Sequence, residues 1–501
     1  MTAHMSSANA RAPSGTFVFY DTETTGLDIA FDQILQLAMI KTDPSFTEDN
    51  PDVETVNLRI RRAGHVVPSP TAMMTTRLSG ADVESGKPFR AAMLEAHDLI
   101  RQWAPAVLIG YNNVRFDEEI LRHNLFSALL PPFVTQTGGS TRADLMHIAH
   151  AVSVVEPGAV IVPRDAEGRP SYRLGPLARA NGIHFDEAQA HDALADVRAT
   201  MAVARLLRER APETFAWALA LADRNRAREL LLEPPGVLLL RMVGGAPVVR
   251  PLVVVSGVED DRSAYLCADV SVDPALYLGL DAGKLAALIE TPHSPIVKAR
   301  VNVHPLLWPL RPVAPEVDRL LPLVRDRPIS EPATDAIGRC LDPQEIDRRV
   351  SLILDAVEFS VTARAAAEAI RVARPPRLYV EQQLYESFPD RLDYQIAEKF
   401  LRADQAGRLK IYALLRDTRL REFAARILAD ETPDALAPSE CARLDAWRRD
   451  RIHGPADAPW RTITQAREEL IALRAAHPTD LLRLDDIVAY LVSIAESAPP
   501  A

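Results

Sequence analysis

The sequence reads as an α/β protein extended by a mostly β segment and then by an all-α one. Three observations carry this reading. Short β-branched and aromatic runs crowd residues 16–60, an alanine- and leucine-rich helical run fills residues 192–207, and the pattern changes near Pro234 and again near Ile346.

Taken in order, residues 1–15 are small and polar with no apolar core, which predicts a disordered N-terminus and not a secretory leader. Residues 16–20 (TFVFY), 34–40 and 53–60 read as three strands whose turn-sized gaps favour antiparallel neighbours. Residues 94–103 read as a helix and 106–111 as a fourth strand, so residues 16–207 form one α/β domain. Beyond Pro234, the runs 237–240, 248–255 and 296–303 are strand-like and divided by Gly, Pro and Asp clusters. Residues 208–345 are therefore expected to be a β domain, with the proline-rich stretch 305–332 as a connector. Residues 346–497 are helical in pattern throughout.

A chain of 501 residues divides into about two to four domains. Hydrophobic residues at 48% and charged residues at 25% give the balance of a folded globular protein. No run of about 20 apolar residues exists, since residues 236–258 are broken by Arg241, Arg250 and prolines, so no membrane helix is expected and the cytoplasm is the expected compartment. Cys267, Cys340 and Cys441 lie far apart, which argues for reduced, mostly buried thiols and against a disulfide framework. The net charge of −11 neither supports nor excludes a nucleic-acid partner, because phosphate binding depends on local basic surface and metal-holding carboxylates add to the acidic count. Only six of the 57 basic residues are lysine; guanidinium forks suit phosphate, but coding bias produces the same skew. No Gly-rich loop ending in Lys-Ser or Lys-Thr is present, which argues against an NTP-driven motor.

Asp21 and Glu23 stand two apart at the end of an apolar strand, so both carboxylates point to one side and can share a metal ion. The alternative is a pair of solvated acids beside a turn at Thr24-Thr25-Gly26. Asp117 lies where a helix begins after residues 112–116, a position that on its own suits a helix cap. In His191-Asp192-Ala193-Leu194-Ala195-Asp196, the histidine and the last acid would diverge by about 140° on one continuous helix. If Asp192 caps the helix, His191 falls on the preceding loop and faces the same site as Asp196. A loop imidazole beside metal carboxylates suits a general base. Asp144, following Arg142, reads as structural, and Phe19 and Tyr20 as core or site wall.

The order Asp-x-Glu, Asp, His-x4-Asp, each at an element end of one α/β unit, resembles the DEDD exonucleases of the histidine-bearing subgroup. Residues 19–24 (FYDTET), 110–117 (GYNNVRFD) and 172–174 (YRL) resemble the bacterial exonuclease I family within it. The resemblance extends to residues 380–385 (VEQQLY) and is strongest over the first 205 residues. It implies a ribonuclease H-like nuclease domain with a mixed five-stranded sheet, an SH3-like β domain and an all-α C-terminal domain. It implies processive 3′ to 5′ hydrolysis of single-stranded DNA to nucleoside 5′-monophosphates, in DNA repair and recombination, by a two-metal reaction with Mg²⁺ or Mn²⁺. Asp21, Glu23 and Asp196 would hold the first ion, Asp21 and Asp117 the second, and His191 would deprotonate water. Glu23 and Arg173 would contact substrate; Asn112 and Asn113 either fix the loop before Asp117 or touch the nucleotide, Asn113 being the substrate-binding candidate. Arg416, Arg419, Arg421, Arg448, Arg449 and Arg451 are candidates for a DNA channel, solvated helix faces being the other reading. The implied partners are single-stranded DNA and the acidic tail of a single-stranded-DNA-binding protein, with the chain a monomer. A 3′ to 5′ RNA exonuclease and a non-catalytic single-strand-binding protein are the alternatives.

Overall fold

The computed structural model describes residues 15–186, 191–292, 294–311, 315–327, 339–432, 436–477 and 479–498. The polar lead-in lies outside the described residues, Gly15 excepted.

β1 (Thr16–Thr24), β2 (Ile34–Thr42), β3 (Glu54–Arg59), β4 (Ala106–Gly110) and β5 (Thr141–Asp144) build one sheet in the order β3-β2-β1-β4-β5. β2 runs antiparallel to β1 and β3, while β4 runs parallel to β1 and β5, which makes the sheet mixed as the family resemblance implies. Phe17 and Phe19 bury on one face, in a cluster with helices Leu145–Val155 and Ala193–Arg210. Val18 and Tyr20 bury on the other, with helices Phe89–Trp103 and Asp117–Ser127. Alternation along one central strand thus sets which helix each later residue of β1 will meet.

β6 (Val237–Val243), β7 (Ala246–Val258), β8 (Asp261–Asp269), β9 (Ile296–Arg300) and β10 (Leu306–Pro309) form a second sheet, wholly antiparallel, in the order β10-β6-β7-β8-β9. Gly244 and Gly245 join β6 to β7 with φ of +58° and +82°, the backbone of a tight hairpin that side chains resist. The third region is helical from Pro343–Asp355 to Leu481–Glu496, and several of its helices begin at an aspartate whose carboxylate takes a first-turn amide: Asp342, Asp390, Asp404 and Asp417.

Both later regions dock on the nuclease-like α/β unit. The Asp144 amide donates to His304 Nδ1 at 2.9 Å, and Arg142 Nη2 donates to the Asn302 carbonyl at 2.5 Å. From the helical side, Phe126 meets Phe423 edge-on, Tyr385 donates to Glu119, and Tyr490 donates to Glu84.

Several expectations are corrected. β1 does not end before the acids: pairing with β2 continues to Thr24, so Asp21 and Glu23 lie within the strand. β5 has no strand signature in the sequence, because its four residues, Thr-Arg-Ala-Asp, carry two buried charges in place of an apolar run. β8 carries charge at its ends, Asp261 and Arg262 at one and the buried Asp269 at the other. Residues 305–332 are not simply a connector, since Leu306–Pro309 is an edge strand. Helices Pro212–Ala220 and Arg224–Leu231 occupy the start of the stretch expected to be β. Among the described residues no helix is long and apolar enough to cross a membrane.

Candidate active site

Asp21 and Glu23 continue the row of Phe17 and Phe19, so they meet helix Ala193–Arg210 as the phenylalanines do. Thr22 belongs to the opposite row and meets Asp117, the first residue of its helix. β4 pairs with β1 only as far as Phe19, leaving the Thr22 amide without a strand partner. Asp117 supplies it: one carboxylate oxygen accepts from the Thr22 amide at 3.1 Å and from its hydroxyl at 2.6 Å. Asp117 is therefore not a cap for its own helix, the reading it had in isolation.

Asp192 does cap the next helix, accepting from the Ala195 amide at 3.2 Å. Asp196 falls in the first turn and His191 precedes the helix with a left-handed φ of +66°. This is the arrangement the sequence required if both were to face one site. Ligand atoms of Glu23, His191 and Asp196 all lie within 4.8 Å of one another, and Asp196 Oδ1 is buried without a hydrogen-bond partner among the described residues.

The electrostatics follow from this crowding. Burial, and then the charges of Asp117, Glu23 and Asp196, push Asp21 well above the usual carboxylate range. Burial and Asp196 push Glu23 up to about 9. Burial raises Asp117 to about 6 against the opposing Thr22 bonds, and burial raises Asp196 to about 6. Acids held this close need a counter-cation, and their carboxylate oxygens suit a hard divalent ion, with the His191 imidazole within the same reach. The residues fit a metal centre, and an unpaired oxygen on Asp196 is the donor such an ion would use. Burial and the Arg77 charge hold the His191 imidazole below its usual value, so it is neutral at pH 7 and able to accept a proton.

Behind the site stands a network the sequence did not disclose. Glu118 is fully buried, receives hydrogen bonds from the Tyr20 hydroxyl (2.9 Å) and from Thr135, and pairs with Arg122 and Arg142 at 3.1 Å each. Its position next to Asp117, and that of Arg142 two before Asp144, were the only sequence signals. Tyr20 is part of this wall and Phe19 is core, as expected. Asp144 is structural: it caps helix Leu145–Val155 and accepts from the Asn112 amide at 2.9 Å.

Of the two asparagines, Asn113 is fully buried with its amide donating to Tyr20 at 2.9 Å, which supports the loop-fixing role. Asn112 instead lines a cleft of about 600 Å³ between the Asp117 loop, helix Leu145–Val155 and the second sheet, together with Arg115, Glu119, His147, Arg241 and Arg300. Arg173 is exposed and begins helix Leu174–Ala180; Tyr111, just before the Asp117 loop, donates to the neighbouring Tyr172 carbonyl at 2.5 Å and ties this segment to the site.

Most of the candidate channel arginines have other tasks. Arg419 is buried, pairs with Asp417 and donates to the Gln383 and Ser387 carbonyls. Arg451 is buried between Phe31 and Trp460 beside Glu381. Arg421 donates to the Leu415 carbonyl, Arg448 pairs with Asp430, and Arg449 also has a partner. The Arg416 amide donates to Asp393. These contacts hold the helical region together; solvated faces do not describe Arg419 or Arg451 either. The thiols are less uniform than expected: Cys267 is buried and pushed up to about 12 by burial, whereas Cys340 is exposed and Cys441 half-buried.

Comparison with known proteins bears on this geometry. Residues 18–204 match the exonuclease family model, and residues 379–494 match the exonuclease I C-terminal domain. Exodeoxyribonuclease I of Escherichia coli (strain K12) is 26% identical over 438 residues, covering 77% of this chain and 88% of that protein. The solved exonuclease I of Methylocaldum szegediense is 26% identical with a TM-score of 0.80, covering 96% of this chain and 100% of its own. E. coli exonuclease I solved with a dA16 oligonucleotide is 24% identical, with a TM-score of 0.79 and coverage of 97% and 100%. A further structure, of SSB/exonuclease I with an inhibitor, is 23% identical with a TM-score of 0.78 and coverage of 96% and 100%. These last two speak to the fold.

Proposed function

Since the chain belongs to the exonuclease I family, we propose that it is an exodeoxyribonuclease degrading single-stranded DNA from the 3′ end to nucleoside 5′-monophosphates. The observation that carries the mechanism is four carboxylates gathered beside a neutral imidazole, none of the four with an ion-pair partner among the described residues.

Asp21, Glu23 and Asp196 would hold one Mg²⁺, and Asp21 with Asp117 a second; Mn²⁺ offers the same donor preference. When bound, such ions stabilise the negative charge that builds on the scissile phosphate and on the leaving oxygen. The chain's own residues do the rest. His191 Nδ1 or Nε2, free of a proton at neutral pH, takes one from the attacking water. Its place on a loop, off the helix that fixes Asp196, lets it reach a water on the substrate side. Glu23 contacts the terminal nucleotide and Arg173 the backbone phosphate, where a guanidinium offers charge-assisted hydrogen bonds.

The cleft lined by Asn112, Arg115, Arg241 and Arg300 leads from the Asp117 loop to the second sheet, and its three arginines against one acid, Glu119, suit a phosphate backbone. The second sheet, in the role of an SH3-like domain over residues 208–345, and the helical domain over residues 346–497 would complete a channel too narrow for a duplex, which supports processive action. Exonuclease I relatives have been solved with oligonucleotides and with SSB. Single-stranded DNA and the acidic tail of a single-stranded-DNA-binding protein are accordingly the proposed partners of this chain, acting as a monomer in the cytoplasm in repair and recombination.

The test uses oligomers labelled at the 3′ or 5′ end, as single-stranded DNA, duplex DNA and RNA, with Mg²⁺ or with EDTA. Loss of the 3′ label as mononucleotide, from single-stranded DNA alone and only with metal, is expected. Attack from the 5′ end, preference for RNA, or digestion in EDTA would refute the reading.

A further inference from the structure

Three residues on adjacent strands line up across the sheet next to the acids. Glu23 on β1 faces Gln36 on β2, and Gln36 faces Arg59 on β3, so all three share the sheet face that carries helix Ala193–Arg210. The carboxylate of Asp192, between His191 and the helix, is divided between two tasks. One oxygen caps the helix at the Ala195 amide (3.2 Å); the other accepts from Arg59 Nη2 at 2.9 Å and from Gln36 Nε2 at 3.1 Å. Gln36 is fully buried, and its carbonyl oxygen accepts from the Ala193 amide at 3.4 Å. The helix that holds Asp196 is thereby fastened by its first turn to the sheet that holds Glu23.

Two features mark Arg59 as more than a surface cation. Its charge acts on Glu23, where it opposes the upward push of the neighbouring acids, and its second terminal nitrogen is buried with no partner among the described residues. Asp192 adds a further negative charge beside Asp21, Glu23 and Asp196, and Arg59 is the cation in ion-pair contact with it. Arg59 therefore does two things through one contact. It cancels an acid that would add to the repulsion at the site, and it fixes the residue on which the left-handed turn at His191 rests.

We propose that Arg59, with Gln36, is a positioning residue: acting through Asp192, it holds His191 and Asp196 in register with Glu23. It touches neither the substrate nor the reacting atoms. A displacement of about 1 Å in such groups costs on the order of 10²-fold in rate, so the clamp should be visible in turnover and not in substrate affinity. The inference rests on the nuclease reading above for its kinetic test but not for its structural one.

The experiment compares wild type, Arg59→Met, Arg59→Lys and Gln36→Leu as full chains. Single-turnover rate and KM on a single-stranded oligomer are measured with Mg²⁺, oligomer affinity is measured in EDTA, and hydrogen exchange of the amides of residues 193–197 is followed by mass spectrometry. In Arg59→Met the rate should fall by about 10- to 100-fold, with affinity in EDTA within about twofold of wild type. Amides 193–197 should exchange faster while those of β1 do not, and Arg59→Lys should restore most of both. A rate within about twofold of wild type in Arg59→Met, or an affinity that falls in step with the rate, overturns the proposal; the second would make Arg59 a phosphate contact. Unchanged exchange of residues 193–197 overturns it as well, and does so even if wild type cleaves nothing, a result that would sink the nuclease reading separately.

Discussion

Asp117 and Glu118 are neighbours in the chain, both start the same helix and both are buried, yet they end in opposite electrostatic circumstances. Glu118 faces Arg122 and Arg142, takes hydrogen bonds from Tyr20 and Thr135, and is held below its ordinary value despite complete burial. Asp117 lies in the field of Asp21, takes hydrogen bonds from Thr22 and from its own backbone amide but has no ion-pair partner among the described residues, and is pushed up to about 6. One residue step, about 100° around the helix, separates a carboxylate neutralised within the fold from one left for something outside it. The contrast distinguishes structural from functional burial of charge: a buried acid that carries its own cation holds the fold together, and one that does not waits for a ligand.

Removing the missing cation, or the acids meant for it, should give the largest effect. EDTA, or Asp21→Asn, is expected to lower the exonuclease rate by at least about 10⁴, the scale seen when a group central to a catalytic unit is lost, while oligomer binding persists by fluorescence anisotropy. His191→Ala should cost about 10² to 10⁴ in rate, the range for a general base, with single-turnover kinetics as the measure.

Stability sharpens the same comparison from the other side. Glu118→Gln leaves Arg142 buried without its acid, while Arg122 keeps Glu119 at 2.7 Å, and should destabilise the nuclease domain by about 3 kcal/mol, read as a lower denaturation midpoint. Asp196→Asn should do the reverse in metal-free protein, raising stability by about 1 kcal/mol, because the raised value of Asp196 measures repulsion and desolvation that the amide relieves.

The pH dependence has a definite sign. Carboxylates raised above their unfolded values bind protons more tightly when folded, so their contribution is intact below about pH 4 and is lost as pH rises through about 6 for Asp117 and Asp196 and about 9 for Glu23. The melting temperature of metal-free protein should therefore fall between pH 5 and pH 9, and Mg²⁺ should raise it more at pH 9 than at pH 5. In Asp21→Asn/Asp196→Asn that difference should shrink.

How much of this could be read from sequence follows from the same physics. The catalytic candidates were legible because each sits at a local landmark: alternation on an apolar strand for Asp21 and Glu23, a helix start for Asp117, a capping aspartate for His191 and Asp196. Local rules failed where a side chain's partner is remote in the chain. Thr22 taking Asp117, Arg142 taking Glu118 and Arg59 taking Asp192 join residues far apart in number, and no periodicity announces them. Asn113 shows the same limit, since its amide turns inward to Tyr20 and only the packed structure reveals this. Among the arginines of the helical region, charge alone suggested either a DNA channel or solvated helix faces, whereas Arg419 and Arg451 are buried ties between segments. Strands failed where they carry charge at their ends, as in β5 and β8.

The claim that the site acids are buried for a divalent cation is tested most directly by calorimetric titration of Mn²⁺ into metal-free protein at pH 7.5, in two buffers of different ionisation heat. Saturable binding with net proton release is expected, because Glu23, raised to about 9, is protonated before the ion arrives and cannot be afterwards. Asp21→Asn/Asp196→Asn should abolish both the binding and the release, while Glu118→Gln, if folded, should leave them in place. Binding without proton release, or binding that survives loss of Asp21 and Asp196, would contradict the account.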